Sequence, residues 1–377
     1  MRVAIVGQGY VGVSIGEAAR DAGHEVVGIE IDAKRIKQLR DLNYQITSEY
    51  SVVKNVEIVL IAVPTPLDAE LNPDISYIES ACNSIKPYLN PGTLIINEST
   101  SYPGTLREVI ASTLGEDFEY AVAPERVDPG NAKWNAKNTP RIVGGLTSNA
   151  LERAIVFYQS ITSDVVPVSS PEIAEAAKLF ENTFRQVNIA LVNEFAQIAH
   201  RIGISAYETI NAASTKPFGF MRFLPSIGVG GHCIPVDPSY LIFVAERSGL
   251  QANFIDLANK LNRKIPALIA ARIDNEYPLS GKKVQVVGLT YKANTADLRE
   301  SPSISLLAEL RKRGAQVTWH DPLIEEFEGT SSTPLSAVDI GIICVSHDGI
   351  DYSVWKTSKT KVLDLSINEN LDFPKYL

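Results

Sequence analysis

Arg2-Val3-Ala4-Ile5-Val6-Gly7-Gln8-Gly9-Tyr10-Val11-Gly12-Val13-Ser14-Ile15-Gly16-Glu17-Ala18-Ala19-Arg20 is an apolar strand that runs through Gly-x-Gly-x-x-Gly into a helix. In this context each glycine has its own duty. Gly7 makes the tight turn, Gly9 lets a pyrophosphate approach the backbone, and Gly12 lets the helix pack on the strand, so that phosphates meet the positive end of that helix. A second strand, Glu25-Val26-Val27-Gly28-Ile29-Glu30, ends in an acid about 20 residues further on, where such a fold needs a carboxylate for the adenosine ribose hydroxyls. Glu30 would repel a 2′-phosphate, so the pattern reads NAD rather than NADP, with Arg35 the nearby cation that argues the other way. On the residues alone, Glu30 can also be read as a plain exposed strand end.

Outward from this stretch, residues 1 to about 165 alternate short apolar runs with helix-spaced segments. Asn55–Val63, Thr93–Asn97 and Tyr120–Ala123 read as buried parallel strands, and the segments near 32–41, 74–89, 104–114 and 148–161 as their connecting helices. The pattern predicts a doubly wound domain over 1–168. From Glu172 to about Ile202 there is neither Pro nor Gly, and Ile173, Ala177, Phe180, Phe184, Val187, Leu191, Phe195 and Ile198 recur at helical spacing. That predicts one long helix with an apolar stripe, suited to a dimer interface, within a helical domain spanning 169–277. Past Pro278-Leu279-Ser280-Gly281, strands at 283–289, 316–319, 339–345 and 361–365 around a helix at 302–313 predict a second Rossmann-like domain over 278–377. The expected fold class is therefore α/β, two Rossmann-like doubly wound domains joined by a long central helix and a helical middle domain.

The 377 residues allow two to three domains, and the net charge of −9 argues against a nucleic-acid partner. Cys82, Cys233 and Cys344 show no paired spacing, so neither a disulfide framework nor a metal site is expected. With no leader pattern and no apolar run of about 18 residues, the expectation is a soluble, cytoplasmic chain without a membrane partner. One stretch carries unusual chemistry: Gly228-Val229-Gly230-Gly231-His232-Cys233-Ile234-Pro235-Val236-Asp237-Pro238. Glycines there allow close backbone approach and positive φ, while Pro235 and Pro238 stiffen the exit. Cys233 can be read as a nucleophile or as a small buried hydrophobe, and the local residues leave both open.

Six ordered motifs resemble the nucleotide-sugar 6-dehydrogenases of the UDP-glucose/GDP-mannose dehydrogenase family. They are Gly7–Gly12, Val63-Pro64-Thr65-Pro66-Leu67, Glu98-Ser99-Thr100-Ser101-Tyr102-Pro103-Gly104-Thr105, Pro124-Glu125-Arg126-Val127-Asp128-Pro129-Gly130-Asn131, the Cys233 loop, and Gly288-Leu289-Thr290-Tyr291-Lys292 with Arg299-Glu300-Ser301-Pro302. The resemblance covers nearly the whole chain. The Pro-Glu-Arg-x-Asp-Pro-Gly-Asn and Gly-Gly-His-Cys-Ile-Pro-Val-Asp-Pro versions look like the branch that oxidises UDP-N-acetylhexosamines, UDP-N-acetylglucosamine in particular.

The resemblance implies a four-electron oxidation of the sugar C6 alcohol to a carboxylate, with two NAD consumed per UDP-sugar. By the same resemblance Cys233 attacks the intermediate aldehyde, and Lys178 and Asn182, one helical turn apart, stabilise the C6 oxyanion. Glu125 is implied as general base for thioester hydrolysis, Thr100 as the hydroxyl that positions water, and Asp237 as a base or orienter for water. NAD contacts are implied at Gly7, Gly9, Tyr10, Val11, Gly12, Glu30, Arg35, Pro64, Thr65 and Thr100. The substrate set the resemblance implies is Arg126, Lys178, Phe220, Arg222, Phe223, Gly230, Lys292 and Arg299, the last two as cations reaching the substrate from the C-terminal domain.

Two departures stand out. Pro225-Ser226-Ile227-Gly228 replaces the Pro-Gly-Pro-Gly usual in the family, and Asp364-Leu365-Ser366-Ile367-Asn368 stands where relatives tend to read Asp-Thr-Arg. Rival readings are a UDP-glucose or UDP-N-acetylmannosamine 6-dehydrogenase, a two-electron hydroxyacid dehydrogenase, which has no use for Cys233 and lacks a second α/β domain, and a non-catalytic NAD-binding regulatory protein.

Overall fold

The computed structural model describes residues 1–127 and 133–377. The chain divides into two compact units, Met1–Glu181 with Ser239–Gln251, and Asn182–Pro238 with Ala252–Leu377.

In the first unit, β1 (Arg2–Val6), α1 (Tyr10–Asp21), β2 (Glu25–Ile29), α2 (Ala33–Asp41) and the two-residue β3 (Ile46–Thr47) form the opening βαβαβ half. There follow β4 (Ile58–Ile61), α3 (Ser76–Ile85), β5 (Leu94–Asn97), a π-helical segment at Leu106–Ala111 that continues as α4 (Ser112–Leu114), β6 (Glu119–Val122), β7 (Arg141–Gly145), α5 (Ser148–Gln159) and β8 (Val165–Pro167). The eight strands make one sheet in the order β3-β2-β1-β4-β5-β6-β7-β8, parallel except where β7 runs against β6. The strand order reverses between β1 and β4, the place where doubly wound sheets open a ligand crevice at the carboxyl ends of the strands. The central strands carry unbroken apolar runs because helices cover both their faces: Val3, Ala4, Ile5, Val59, Leu60, Ile61, Leu94, Ile95 and Ile96 are wholly buried.

Three strands, β3, β7 and β8, were not expected from the sequence. β7 opens on a charge and closes on Gly144-Gly145, which reads like a turn. Packing explains the glycines: a Cβ on Gly144 would lie 2.7 Å from the Cα of Pro171, and one on Gly145 would lie 2.6 Å from the backbone nitrogen of Leu151. The segment expected as an ordinary helix near 104–114 instead winds as a π-helix over most of its length.

Along the chain after β8 come α6 (Pro171–Ile202), α7 (Ala206–Ala213), α8 (Asp237–Arg247) and α9 (Asn253–Glu276). In the second unit come β9 (Lys283–Val287), α10 (Pro302–Lys312), β10 (Gln316–His320), the hairpin β11 (Glu326–Phe327) and β12 (Thr330–Ser331), β13 (Ile340–Ile343), α11 (Ser353–Thr357) and β14 (Lys361–Asp364). Its sheet has the order β10-β9-β13-β14, all parallel. Ile265, Ile269 and Ile273 of α9 and Leu306 and Leu310 of α10 pack with Val284, Val286, Trp319 and Ile342 of that sheet into one core. At its β14 edge Lys375 doubles back, bridges to Asp364 in parallel, and donates from Nζ to Asp364 Oδ2 at 2.6 Å and to the carbonyls of Ser366 and Asn368 at 2.8 and 2.6 Å. The expected fold class holds: α/β, with an N-terminal and a C-terminal Rossmann-like sheet and, between them in sequence, a helical stretch that includes the long α6.

The long helix has the expected length and carries part of its apolar stripe on the surface. Ile173, Phe180, Phe184, Leu191 and Ile198 of the apolar stripe face outward, whereas Glu175, Lys178, Asn182, Gln186 and Asn193 are buried. Glu175 accepts from the N–H groups of Gly104 and Leu106 at 2.7 and 3.0 Å, Gln186 donates to Asn259 at 2.9 Å, and Asn193 donates to Asn262 at 3.2 Å. No helix among the described residues is long and apolar enough to cross a membrane.

Candidate active site

The glycine turn of the first unit is built as its spacing demands. Gly7 has φ +90°, and a Cβ at Gly12 would lie 2.0 Å from the Gly7 carbonyl oxygen, so the two glycines lock the strand against the start of α1. Gly9 caps α1, and a Cβ there would meet nothing within 4 Å, which leaves its face open to a ligand. Tyr10 is exposed and Val11 half-buried, both in the first turn of α1.

At the end of β2, the Glu30 carboxylate accepts from Gln8 N–H at 2.9 Å through Oε2 and from the N–H groups of Ile31 and Asp32 at 2.8 and 3.1 Å through Oε1. These bonds aim the carboxylate at the glycine turn. Arg35 donates from Nε to the Gln8 carbonyl at 2.9 Å, so its guanidinium also braces this turn. Turn, helix end and oriented acid suit a dinucleotide with unsubstituted ribose hydroxyls. On the other side of the strand reversal, Ser99 Oγ bonds the Val63 backbone on both its N–H and C=O at 2.9 Å, tying the loops after β4 and β5 together. Pro64 is exposed, Thr65 is buried with its carbonyl accepting from Tyr240 at 3.0 Å, and Thr100 is half-buried beside Ser99.

Glu125 follows β6 and is 7 % exposed. Its Oε1 accepts from the N–H groups of Arg126 and Val127 at 2.6 and 2.7 Å, and its Oε2 accepts from Arg141 Nη2 at 2.7 Å. Burial alone would raise its pKa, but the guanidinium and those bonds more than offset it and hold the carboxyl below the usual range. Arg126 forks onto Glu181 at 2.5 Å and donates to the Pro140 carbonyl at 2.7 Å. Asp128, Pro129, Gly130 and Asn131 of the same motif lie outside the described residues.

The thiol loop belongs to the second unit. Gly228 has φ +124° and Gly231 φ +86°. A Cβ on Gly230 would come within 2.7 Å of Tyr291 Cβ, and one on Gly231 within 2.8 Å of the Tyr291 ring, so the loop lies flat on Tyr291 only because those positions lack side chains. Gly231 N–H donates to the Arg299 carbonyl at 3.0 Å. Cys233 is exposed, whereas Cys82 and Cys344 are buried and burial pushes each of those thiols up to about 12. Exposure settles the open reading of Cys233 against a buried hydrophobe. The Cys233 carbonyl accepts from the N–H groups of Val236 and Asp237 at 3.1 and 2.8 Å, leading the chain straight into α8.

Asn182 Nδ2 donates to Asp237 Oδ2 at 2.5 Å, which brings two of the expected catalytic side chains into direct contact. Lys178, one turn earlier on α6, is 9 % exposed. Ser226, at the unusual position, donates to the Gly228 carbonyl at 2.8 Å while its N–H donates to Asn193 at 2.8 Å. A hydroxyl thus ties down the turn where the family more often has glycine.

Among the residues expected to meet substrate, Phe220 and Arg222 are exposed and Phe223 is half-buried, edge-on to Phe184 with ring centroids 6.0 Å apart. Arg222 pairs with Glu369 at 2.5 Å and Arg299 with Asp297 at 2.6 Å. Lys292 is half-buried in the loop after β9. Lys375 brings a cation to Asp364–Asn368, the segment that lacks the expected arginine. Sequence reading missed Glu98, Arg141 and Tyr158, which form a buried cluster against Glu125. The available signals were a carboxylate directly after an apolar strand and an arginine opening an otherwise apolar one. No group of three or more His, Cys, Asp or Glu among the described residues is placed to hold a metal.

Models of the UDP-glucose/GDP-mannose dehydrogenase family match along the chain: the NAD binding domain at residues 1–50 and 40–162, the central domain at 172–264 and the UDP binding domain at 285–368. The chain belongs to that family and is an NAD-dependent nucleotide-sugar dehydrogenase. It is 34 % identical over 373 residues to a UDP-N-acetyl-D-mannosamine dehydrogenase of Methanocaldococcus jannaschii, covering 92 % of this chain and 86 % of that one. It is 32 % identical to the UDP-N-acetyl-D-glucosamine 6-dehydrogenase of Salmonella typhi, covering 92 % and 90 %. Among solved structures, the UDP-D-ManNAc dehydrogenase of Pyrococcus horikoshii superposes with a TM-score of 0.87 at 30 % identity, over 100 % of this chain and 97 % of that one.

Proposed function

We propose that this enzyme oxidises the C6 alcohol of a UDP-N-acetylhexosamine to the uronic acid by a covalent route through Cys233. The observation that carries the reading is the exposed thiol on a glycine loop pressed against Tyr291, in a chain with an NAD-binding fingerprint. NAD supplies the hydride acceptor, once for each of the two oxidations. The first removes a hydride and a proton from the alcohol and leaves an aldehyde. Cys233 adds through sulfur to the aldehyde carbon while a proton goes to the carbonyl oxygen, giving a thiohemiacetal; loss of the second hydride to NAD together with that hydroxyl proton leaves a thioester, and water cleaves it to the carboxylate and the thiol. Lys178 and Asn182 donate to the C6 oxygen whenever it carries charge, and a donor held beforehand, as Asp237 holds Asn182, needs no reorganisation. Asp237, already bound to Asn182, orients that amide. Glu125 takes the proton from the attacking water, and Thr100 positions that water.

UDP-N-acetylglucosamine is the sugar the motifs favour, whereas the relatives of highest similarity mostly carry the name of the mannosamine epimer. The two differ in configuration at C2 and share the acetamido group. We favour UDP-N-acetylmannosamine on that ground and keep UDP-N-acetylglucosamine as the second reading. Phe220, Arg222, Phe223, Gly230, Lys292, Arg299 and Arg126 are proposed to hold the nucleotide sugar, which requires Arg222, Arg299 and Arg126 to exchange a carboxylate partner for ligand. The outward apolar row on α6 supports a homodimer. The deciding experiment counts NADH formed per sugar consumed with UDP-N-acetylmannosamine, UDP-N-acetylglucosamine and UDP-glucose offered separately. Two NADH per sugar on one of the acetamido sugars is expected; a single NADH would reduce the enzyme to a simple alcohol dehydrogenase.

A further inference from the structure

Arg141, on β7, lies between two carboxylates. Its Nη2 donates to Glu125 Oε2 at 2.7 Å and its Nη1 to Glu98 Oε2 at 2.9 Å, with the carbonyls of Ala123 and Pro124 at 3.4 Å. The Tyr158 hydroxyl, from α5, donates to the other Glu98 oxygen, and the Arg141 guanidinium stands 5.1 Å from the Tyr158 ring centroid. The cluster is closed to water: Glu98 is 1 % exposed, Arg141 3 % and Tyr158 0 %. Fully ionised, it would hold two negative charges against one positive charge in a low-dielectric site. One added proton balances it, and a buried charge left uncompensated is costly enough to favour that proton.

We infer that Arg141 and Glu98 are positioning residues for the hydrolytic half of the reaction: Arg141 fixes the Glu125 carboxylate, and the protonation of Glu98 sets how much of the Arg141 charge Glu125 feels. The inference rests on the proposed role of Glu125 as the base. The titratable groups that face Glu98 are Arg141 from β7, Tyr158 from α5 and Glu125 from the loop after β6. The extra proton resides on Glu98, which burial raises to about 7, and not on Glu125, which has two backbone N–H groups in addition to the guanidinium. When Glu98 is protonated, Arg141 acts on Glu125 alone and keeps it a weak base. When Glu98 ionises, the guanidinium is shared, a second negative charge lies nearby, and Glu125 gains proton affinity. The two carboxyls titrate as a coupled pair. Water attack on the thioester therefore speeds up as Glu98 loses its proton.

The test follows hydrolysis of the covalent enzyme by quenched mass spectrometry across the neutral pH range, using the full-length protein with NAD and the nucleotide sugar it oxidises. Wild type is expected to show a rising limb near neutrality. In Glu98→Gln, which cannot ionise, the limb disappears and the plateau falls towards the low-pH rate, while KM for the sugar nucleotide and the burst of first NADH stay as in wild type. Tyr158→Phe removes a hydroxyl that favours ionised Glu98 and moves the limb to higher pH; it decides the question if Glu98→Gln does not fold. A limb unchanged in the variants that fold overturns the inference. Glu125→Gln is measured in parallel: hydrolysis at the wild-type rate there would instead remove Glu125 as the base, whereas stalled hydrolysis with an unmoved limb in the other variants overturns this inference alone.

Discussion

Asn182 on α6 donates its amide to the carboxylate of Asp237 at 2.5 Å, the residue with which α8 begins, four positions beyond the exposed thiol of Cys233. The amide is therefore held by a group placed by the thiol loop itself. Asn182→Ala is expected to lower kcat by about 10²–10³, the usual loss for one preorganised oxyanion donor, with KM for NAD unchanged. Steady-state kinetics varying each substrate in turn check this.

Cys233→Ser should form little or no acid, because a weakly nucleophilic hydroxyl replaces the thiolate in the step that precedes the second hydride loss. Chromatography of the sugar products reads the outcome directly. Acid formation at the wild-type rate would rule out the covalent route.

Glu125→Gln should leave the thioester intact long enough to be seen. A general base contributes about 10²–10⁴ to its step, so the intact mass of the variant, quenched during turnover, is expected to carry the acyl-sugar adduct for far longer than wild type does.

Gly9 and Gly12 should separate when each is changed to Ala. A Cβ on Gly12 would strike the Gly7 carbonyl at 2.0 Å, whereas one on Gly9 has nothing within 4 Å. Gly12→Ala is expected to lose about 1–3 kcal/mol of stability, the usual overpacking range, as well as NAD affinity. Gly9→Ala should keep its melting temperature and lose NAD affinity alone. Thermal unfolding and NAD titration, run side by side, test both.

Glu175, buried at the start of α6, is raised to about 7, mainly by desolvation. Its folded pKa lies above its unfolded one, so the folded state binds the proton more tightly. The stability it contributes is complete below about pH 4.5 and is lost as pH rises through about 7, a change on the order of 3 kcal/mol. His232 and His320, whose pKa values burial lowers, push the other way within this window. The measurement is therefore a difference: urea unfolding between about pH 4.5 and 7 should show a less negative slope of stability against pH in Glu175→Gln than in wild type.

Leu191 and Ile198, 60 % and 52 % exposed on the outward face of α6, are expected to lie in the interface of the proposed dimer. Leu191→Glu with Ile198→Glu should shift light scattering from twice the chain mass to once, with the helical signal unchanged. A wild-type protein of single-chain mass at working concentration would count against the dimer.

Much of this was legible in the sequence because two local signals carry it. Period-free apolar runs such as Ile58–Ile61 and Ile340–Ile343 mark strands buried on both faces, and the glycine spacing at Gly7–Gly12 admits few backbones. The long helix was predicted within a residue at its start, and the stripe read there is exposed in the chain; its buried polar face was not predicted, since Gln186 and Asn193 find hydrogen-bond partners on Asn259 and Asn262 that only tertiary structure supplies. The Glu98–Arg141–Glu125 cluster was illegible for a related reason. Its members are 27 and 16 residues apart, and only the side-by-side lay of β5, β6 and β7 makes them neighbours. Ser226 shows the opposite case, where a departure from the usual loop pattern acquires a local explanation once its hydroxyl is seen on the Gly228 carbonyl.

β14 is the outer strand of the second sheet, and an outer strand offers its unpaired backbone to any passing chain. Lys375 and Tyr376 answer that hazard: the ammonium grips Asp364 and two carbonyls beyond it, and Tyr376 N–H donates to the Asp364 carbonyl at 2.9 Å. The returning segment works as a selvedge that finishes the border of the sheet. Cutting its one cationic stitch would expose an adhesive margin, and the damage would appear as clumping at high concentration long before it appeared as lost turnover.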